Sequence, residues 1–233
     1  MKIVVFSDIH GNLEAFKKFL KDISAIKVDF YIFCGDIFGY YYNQNEIINI
    51  LKKMNNLFYV IGNHDKMFLD LLDKKVSLKK IVEKYGKSYE MSLINIDHNN
   101  IEFLRSMPEN IEIVIDNKKI YVCHGTIEDN INGRLYPDNN ILIPDTLKVD
   151  YIIYGHTHYR MNKQISGTKI INPGSLGQPR DGFNNSYLII DTERDTEVFR
   201  TIDYSKNKLL NQINNFDPHN RYLKDILFRG EHV

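Results

Sequence analysis

Tryptophan is absent from this chain, so aromatic packing falls to 15 Tyr and 13 Phe. Cysteine is nearly absent: Cys34 and Cys123 both sit inside apolar runs, where they read as small buried hydrophobes. Two cysteines are too few for a disulfide framework, and a reducing compartment is expected. The six prolines and 13 glycines nowhere gather into a linker, and no repeat or low-complexity tract divides the 233 residues. One domain over residues 1–233 is the resulting expectation. No apolar run approaches the ~20 residues that span a bilayer. The N-terminal run, Ile3-Val4-Val5-Phe6, meets Asp8 at once, which is not a signal-peptide layout. A cytoplasmic protein with no membrane partner is expected. Nor is there an excess of either charge, since 30 Lys+Arg balance 30 Asp+Glu. Dedicated nucleic-acid binders carry a basic excess, so stable binding to long DNA or RNA is not expected. A nucleotide substrate stays open, and the oligomeric state is not readable.

Hydrophobic residues make up 43% of the chain, enough for a sizeable core. Residues 3–6 form a continuous β-branched and apolar run, which predicts a buried strand. Leu13, Phe16, Phe19, Leu20 and Ile23 recur at helical spacing and predict a helix over about 12–24. A second strand over 30–33, a helix over about 45–54 and a third strand over 57–61 follow. Such alternation predicts parallel βαβ units. Residues 66–107 read as a polar helical insert that stops before Pro108. The second half changes character, with strands at 111–115, 119–122, 151–154, 169–171, 187–190 and 197–201. Asp116-Asn117 predicts a hairpin between the first two. A helical tail runs from about 203, over 204–213 and 222–228. Crossovers in one half and hairpins in the other fit two facing sheets with helices outside.

Polar residues concentrate just after the apolar strands. Asp8-Ile9-His10 follows the first, Gly35-Asp36 the second, Gly62-Asn63-His64-Asp65 the third, His124-Gly125 the 119 strand and Gly155-His156-Thr157-His158 the 151 strand. Each cluster alone is an ordinary turn or helix cap. Together they would converge on one sheet edge, where α/β proteins bind ligands. Of eight histidines, His10, His64, His124, His156 and His158 lie in these clusters, while His98, His219 and His232 sit in polar surroundings and read as solvated. Imidazoles, carboxylates and an amide form a mixed N/O donor set suited to Mn, Fe, Zn, Ni or Co. Seven candidate ligands exceed one tetrahedral zinc and fit two cations sharing a carboxylate.

The order Asp8-x-His10, Gly35-Asp36-x-x-Gly39, Gly62-Asn63-His64-Asp65, His124-Gly125 and Gly155-His156-x-His158 resembles the calcineurin-like metallophosphoesterases. The likeness continues through Asn172-Pro173-Gly174-Ser175, up to Arg180, and resembles the small prokaryotic, YfcE-like phosphodiesterase branch. It covers residues 1 to about 201. The resemblance implies a four-layer α-β-β-α sandwich of the α/β (α+β) class, two mixed sheets flanked by helices. It implies one metal on Asp8, His10, Asp36 and His158, and another on Asp36, Asn63, His124 and His156. Asp36 then bridges, and manganese heads the candidate metals. His64 becomes the general acid or transition-state donor, with Asp65 orienting its imidazole. Some YfcE-like members carry Cys where His64 stands, whereas this chain keeps the His.

Two cations would lower the pKa of a shared water and offset phosphoryl charge, so hydrolysis of a small phosphoester or nucleotide is expected. A phosphodiester is favoured on family resemblance. A phosphomonoester, a dinucleoside polyphosphate, a nuclease reaction and a metal-binding interaction scaffold are the alternatives. Arg134, close after the His124 loop, is a candidate for a second phosphate or a solvated loop residue; Arg160 and Arg180 are weaker candidates.

Overall fold

A computed structural model describes residues 1–231 of the chain; His232 lies outside the described residues. The order of elements begins β1 (Lys2–Phe6), α1 (Leu13–Ile23), β2 (Phe30–Phe33), α2 (Gln44–Leu51), β3 (Leu57–Tyr59) and α3 (Asn63–Leu72). Three further helices follow, α4 (Leu78–Tyr85), α5 (Ser88–Asn95) and α6 (His98–Ser106). Strands then dominate: β4 (Asn110–Ile115), β5 (Lys118–Cys123), β6 (Tyr151–Ile153), β7 (Arg160–Ile165), β8 (Thr168–Pro173), β9 (Ser186–Asp191) and β10 (Thr196–Thr201). The tail holds α7 (Asn207–Phe216), α8 (Arg221–Asp225) and a 3-10 turn over Ile226–Glu231. No helix among the described residues is long and apolar enough to cross a membrane.

The strands form two mixed five-stranded sheets, ordered β10-β9-β1-β2-β3 and β4-β5-β6-β8-β7. Parallel runs join β1 with β2 with β3 and β5 with β6 with β8; antiparallel strands close both edges of the second sheet and the β9-β10 edge of the first, whose other edge is the parallel strand β3. Side-chain alternation shows why both faces are apolar. Ile3 and Val5 of β1 point into a core shared with Ile120 and Val122 of β5 and Ile153 of β6. Val4 and Phe6 point the other way, against Phe16 and Phe19 of α1 and Phe68 of α3. Strands buried on both faces read as unbroken apolar runs, which is what residues 3–6 and 30–33 display.

Two mixed sheets flanked by helices are as the sequence predicted. On the outer face of the second sheet the covering layer is irregular. Ile127, Leu135, Ile141 and Leu147 from the 124–150 connection pack on Tyr121, Ile152 and Ile170. Gly125, Gly133, Pro137 and Pro144 punctuate that segment and disfavour helix. The structure also adds β7, which the sequence did not reveal. Its sequence, Arg-Met-Asn-Lys-Gln-Ile, puts only Met161 fully into the core, as suits an edge strand. Its local signal was the Ser166-Gly167 turn before β8, where both residues have positive φ.

Phe6 has no exposed surface and packs its ring 4.8 Å from Phe19 and 5.1 Å from Phe33. Phe6→Ala should therefore lower unfolding free energy by about 3–5 kcal/mol. Val114→Thr, on a strand position 67% exposed, should change it by less than about 0.5 kcal/mol. Urea denaturation of the two variants checks both.

Candidate metal centre

The seven candidate ligands all follow C-terminal ends of parallel strands, and the two sheets bring them together. His158 Nε2 lies 3.0 Å from His10 Nε2 and 3.2 Å from Asp8 Oδ1. His124 Nε2 lies 3.3 Å from Asp36 Oδ2 and 2.9 Å from Asn63 Oδ1. Ligand atoms of Asp8, His10 and His158 fall within 4.8 Å of one another, and so do those of Asp36, His124 and His156. Asp36 connects the groups, since its Oδ2 is also 3.7 Å from His10 Nε2. His98 and His219 are exposed.

Main-chain carbonyls set the nitrogen that each imidazole offers. Nδ1 of His10, His124 and His158 lies 2.6 Å from the carbonyl oxygens of Phe38, Cys34 and Gln178 respectively. A carbonyl only accepts, so each Nδ1 carries the hydrogen and each neutral ring leaves a lone pair on Nε2. Those lone pairs face one another and face carboxylates. Asp8 Oδ1 and Oδ2 and Asp36 Oδ2 are buried and accept no hydrogen bond. Unpaired buried carboxylate oxygens cost several kcal/mol each. Cations among the lone pairs would remove both penalties, so the residues fit a metal. The electrostatics agree: burial pushes His124 down, but the Asp36 and Asp8 carboxylates overcome it and hold the imidazole up at about 9. At this position the cluster draws in positive charge.

His156 is bound differently. Arg134 Nε donates to its Nε2 at 3.2 Å, which leaves Nδ1 for a cation. Arg134 thus stands at the centre itself. A cavity of about 470 Å³ opens beside it, between the 125–142 segment and the outer face of the second sheet, and contains none of the seven ligands. Arg160 is committed elsewhere, to Asp181 at 2.8 Å.

Backbone strain marks the site. Asp8, His10, Asp36, His156 and His158 have φ of 56°, 51°, 66°, 64° and 62°, in the left-handed region. Gly39, at φ 90°, is required for a second reason: a Cβ there would come 2.6 Å from His64 Nδ1.

The expected hydrogen bond between Asp65 and the His64 imidazole is not made. Asp65 Oδ1 accepts from the N–H groups of Ile37 and Phe38, and Oδ2 from those of Asp36 and Gly62, at 2.8–3.0 Å. His64 Nδ1 pairs instead with the Tyr89 hydroxyl at 2.7 Å. The reason is helical geometry. Consecutive residues in the first turn of α3 diverge by about 100° and cannot bond each other's side chains. Burial and then Asp36 push Asp65 up to about 7, although Phe38 and Gly62 amides oppose this. Burial pushes His64 down to about 4. Tyr89, in α5, carried no sequence signal, and neither did the carbonyls of Cys34, Phe38 and Gln178.

A two-sheet sandwich with this His/Asp/Asn cluster at its parallel-strand ends has the make-up of a metal-dependent phosphoester hydrolase. The chain belongs to the calcineurin-like phosphoesterase superfamily, whose domain model matches residues 1–195. Uncharacterized protein MJ0912 of Methanocaldococcus jannaschii is 34% identical over 220 residues, 84% of each chain. Phosphodiesterase MJ0936 of the same organism is 26% identical over 204 residues, 83% of this chain and 95% of its own. A metallophosphoesterase crystal structure from Sphaerobacter thermophilus matches with TM-score 0.80 and 26% identity over 99% of each chain. The branch is the expected one, with relatives named phosphodiesterase MJ0936 and YfcE.

Asp65→Asn removes acceptors from a four-amide clamp, leaving buried N–H groups without partners. A loss of roughly 2–4 kcal/mol in stability is expected, with lower metal content. Thermal unfolding and elemental analysis measure the two effects. Tyr89→Phe, which leaves the buried His64 Nδ1 without its partner, should cost about 1–3 kcal/mol with metal content near wild type.

Proposed function

We propose that this chain hydrolyses small phosphodiesters, nucleotide diesters among them, at a two-metal centre built from sets that share Asp36. One set is Asp8, His10, Asp36 and His158; the other is Asp36, Asn63, His124 and His156. The observation that carries this reading is the place of Asp36 Oδ2, unbonded and buried between His10 at 3.7 Å and His124 at 3.3 Å. Manganese heads the candidates, because carboxylates and an amide oxygen share the set with imidazoles; iron, zinc, nickel and cobalt are the others. When bound, two such cations acidify a water and offset charge on the phosphoryl group.

The chain's own groups supply the rest. With Nδ1 held by Tyr89, His64 has Nε2 free to hold a proton toward the leaving oxygen. Gly39, His10, Tyr40 and Tyr85 close around its ring, with the His10 and Tyr85 centroids 5.0 and 4.8 Å away. That packing limits the ring to one orientation. Arg134, against His156, is placed to hold a phosphoryl oxygen. The preference for diesters rests on the names of relatives such as phosphodiesterase MJ0936. The complete set of ligands, together with His64, counts against a pure interaction scaffold, and the balanced charge against a nuclease of long DNA or RNA.

The assay is turnover of bis-p-nitrophenyl phosphate and p-nitrophenyl phosphate by the Mn²⁺-loaded protein, with faster cleavage of the diester expected. A metal-loaded protein that cleaves neither ester would defeat the proposal. Chelation should abolish turnover, and reloading should restore it. Asp36→Ala should lose both metals and all activity. His64→Ala should keep the metals yet lose at least about 100-fold in kcat. Tyr89→Phe should lose a smaller factor with metal content intact.

A further inference from the structure

Arg180 lies on the segment after β8, and its backbone N–H reaches the His158 carbonyl at 3.5 Å. Its Nη2 donates to the Tyr40 hydroxyl at 2.9 Å and to Gln178 Oε1 at 3.1 Å. The Tyr40 ring stands 4.8 Å from the His10 ring and 5.1 Å from that of His64. The guanidinium is thus one side chain removed from the centre, on the His64 side, whereas Arg134 touches His156. Among the described residues Arg180 makes no ion pair with a carboxylate, unlike Arg160 with Asp181. Its Nε is buried and donates to nothing.

A largely buried guanidinium with an idle donor is costly unless an anion completes it. Asp8, the carboxylate whose charge acts on it, is a ligand under the reading above and already faces His158, and the adjacent Asp181 is held by Arg160. An anion brought by the substrate is what remains. The surroundings are shaped for one. Tyr222 of α8 flanks the position, its ring 6.1 Å from that of Tyr40 and its hydroxyl 3.5 Å from Gln178 Oε1. Tyr222 belongs to the tail beyond the residues 1–195 that the family model matches. Leu209, Ile213 and Leu223 pack that tail on Tyr40 and Tyr41.

We propose that Arg180, walled by Tyr40 and Tyr222, binds a phosphate-type oxygen of the substrate on the His64 side of the centre. The assignment rests on the phosphoesterase reading. The oxygen belongs either to the phosphoryl group at the metals or to a second phosphate of the substrate. In both cases it accepts from the guanidinium fork.

Calorimetry on the Mn²⁺-loaded protein tests this without turnover, using inorganic phosphate and a non-hydrolysable α,β-methylene nucleoside diphosphate. Arg180→Met, with metal content and melting temperature checked, should weaken at least one ligand by about tenfold or more. Loss for both ligands assigns Arg180 to the phosphoryl group at the metals. Loss for the diphosphate alone assigns it to a second phosphate. Unchanged affinity for both overturns the proposal. Arg180→Lys keeps the charge without the fork and should fall between; if Arg180→Met does not fold, unchanged affinities in Arg180→Lys overturn the proposal instead. Phosphate binding that depends on Arg180 in a protein that cleaves no ester would defeat the reaction and spare this assignment. Turnover with affinities unmoved by Arg180→Met would do the reverse.

Discussion

Three main-chain carbonyls, those of Cys34, Phe38 and Gln178, each hold the Nδ1–H of a buried histidine at 2.6 Å. That bond decides which nitrogen each ring presents, and so turns three histidines into lone-pair donors aimed at one volume. It also couples the sheets. His124, at the end of β5 in the second sheet, is held by Cys34 at the end of β2 in the first. A shift of one sheet against the other by the length of a bond would break the donor set. The apolar core between the sheets, from Ile3 and Val5 to Ile120 and Ile153, resists such a shift because close-packed interiors yield little. Site geometry and core packing are therefore one constraint.

The cluster adds strain to its electrostatic cost. Five of its residues hold left-handed backbone, at about 1–2 kcal/mol each for an ordinary side chain, less for Asp and His. All five lie in the turns just beyond the ends of β1, β2 and β6, where left-handed backbone changes the chain's direction. Compact loops follow, and glycines make room where they meet. A Cβ on Gly62 would overlap the Asp36 carboxylate, and one on Gly155 the Ser7 hydroxyl. The hydrophobic faces of both sheets supply the free energy that holds these turns in place.

The sequence made the strands and the ligand positions legible for the same reason. A strand buried on both faces must be an unbroken apolar run, and a polar residue at its end then stands out. Residues 30–33 are an example, matching β2 residue for residue, with Asp36 just beyond. The Asp116-Asn117 hairpin was legible because both residues take positive φ in a tight turn. Features that depend on through-space partners were not legible. β7 is an edge strand with little apolar content, and Tyr89 reaches His64 from a helix 25 residues away in sequence. The covering layer on the second sheet was missed because a loop can bury Ile127 and Leu135 without helical periodicity.

The first turn of α3 shows how a motif divides its work. Asn63 turns to His124, His64 to Tyr89, and Asp65 to the amides of residues 36–38. Adjacent residues on a helix point about 100° apart, so a run of three serves three directions rather than one dyad. The helix contributes a fourth element through its main chain. The His64 N–H, at the N-terminus of α3, donates to Asp36 Oδ1 at 2.8 Å. An anion is favoured at that end of a helix. One oxygen of Asp36 is thereby fixed by backbone, and the other is left bare between His10 and His124. Asp65 closes the arrangement by clamping the loop that carries Asp36 onto the helix that anchors it. The roles that look paired in the sequence are separated by geometry, and the separation is what holds the Asp36 carboxylate still.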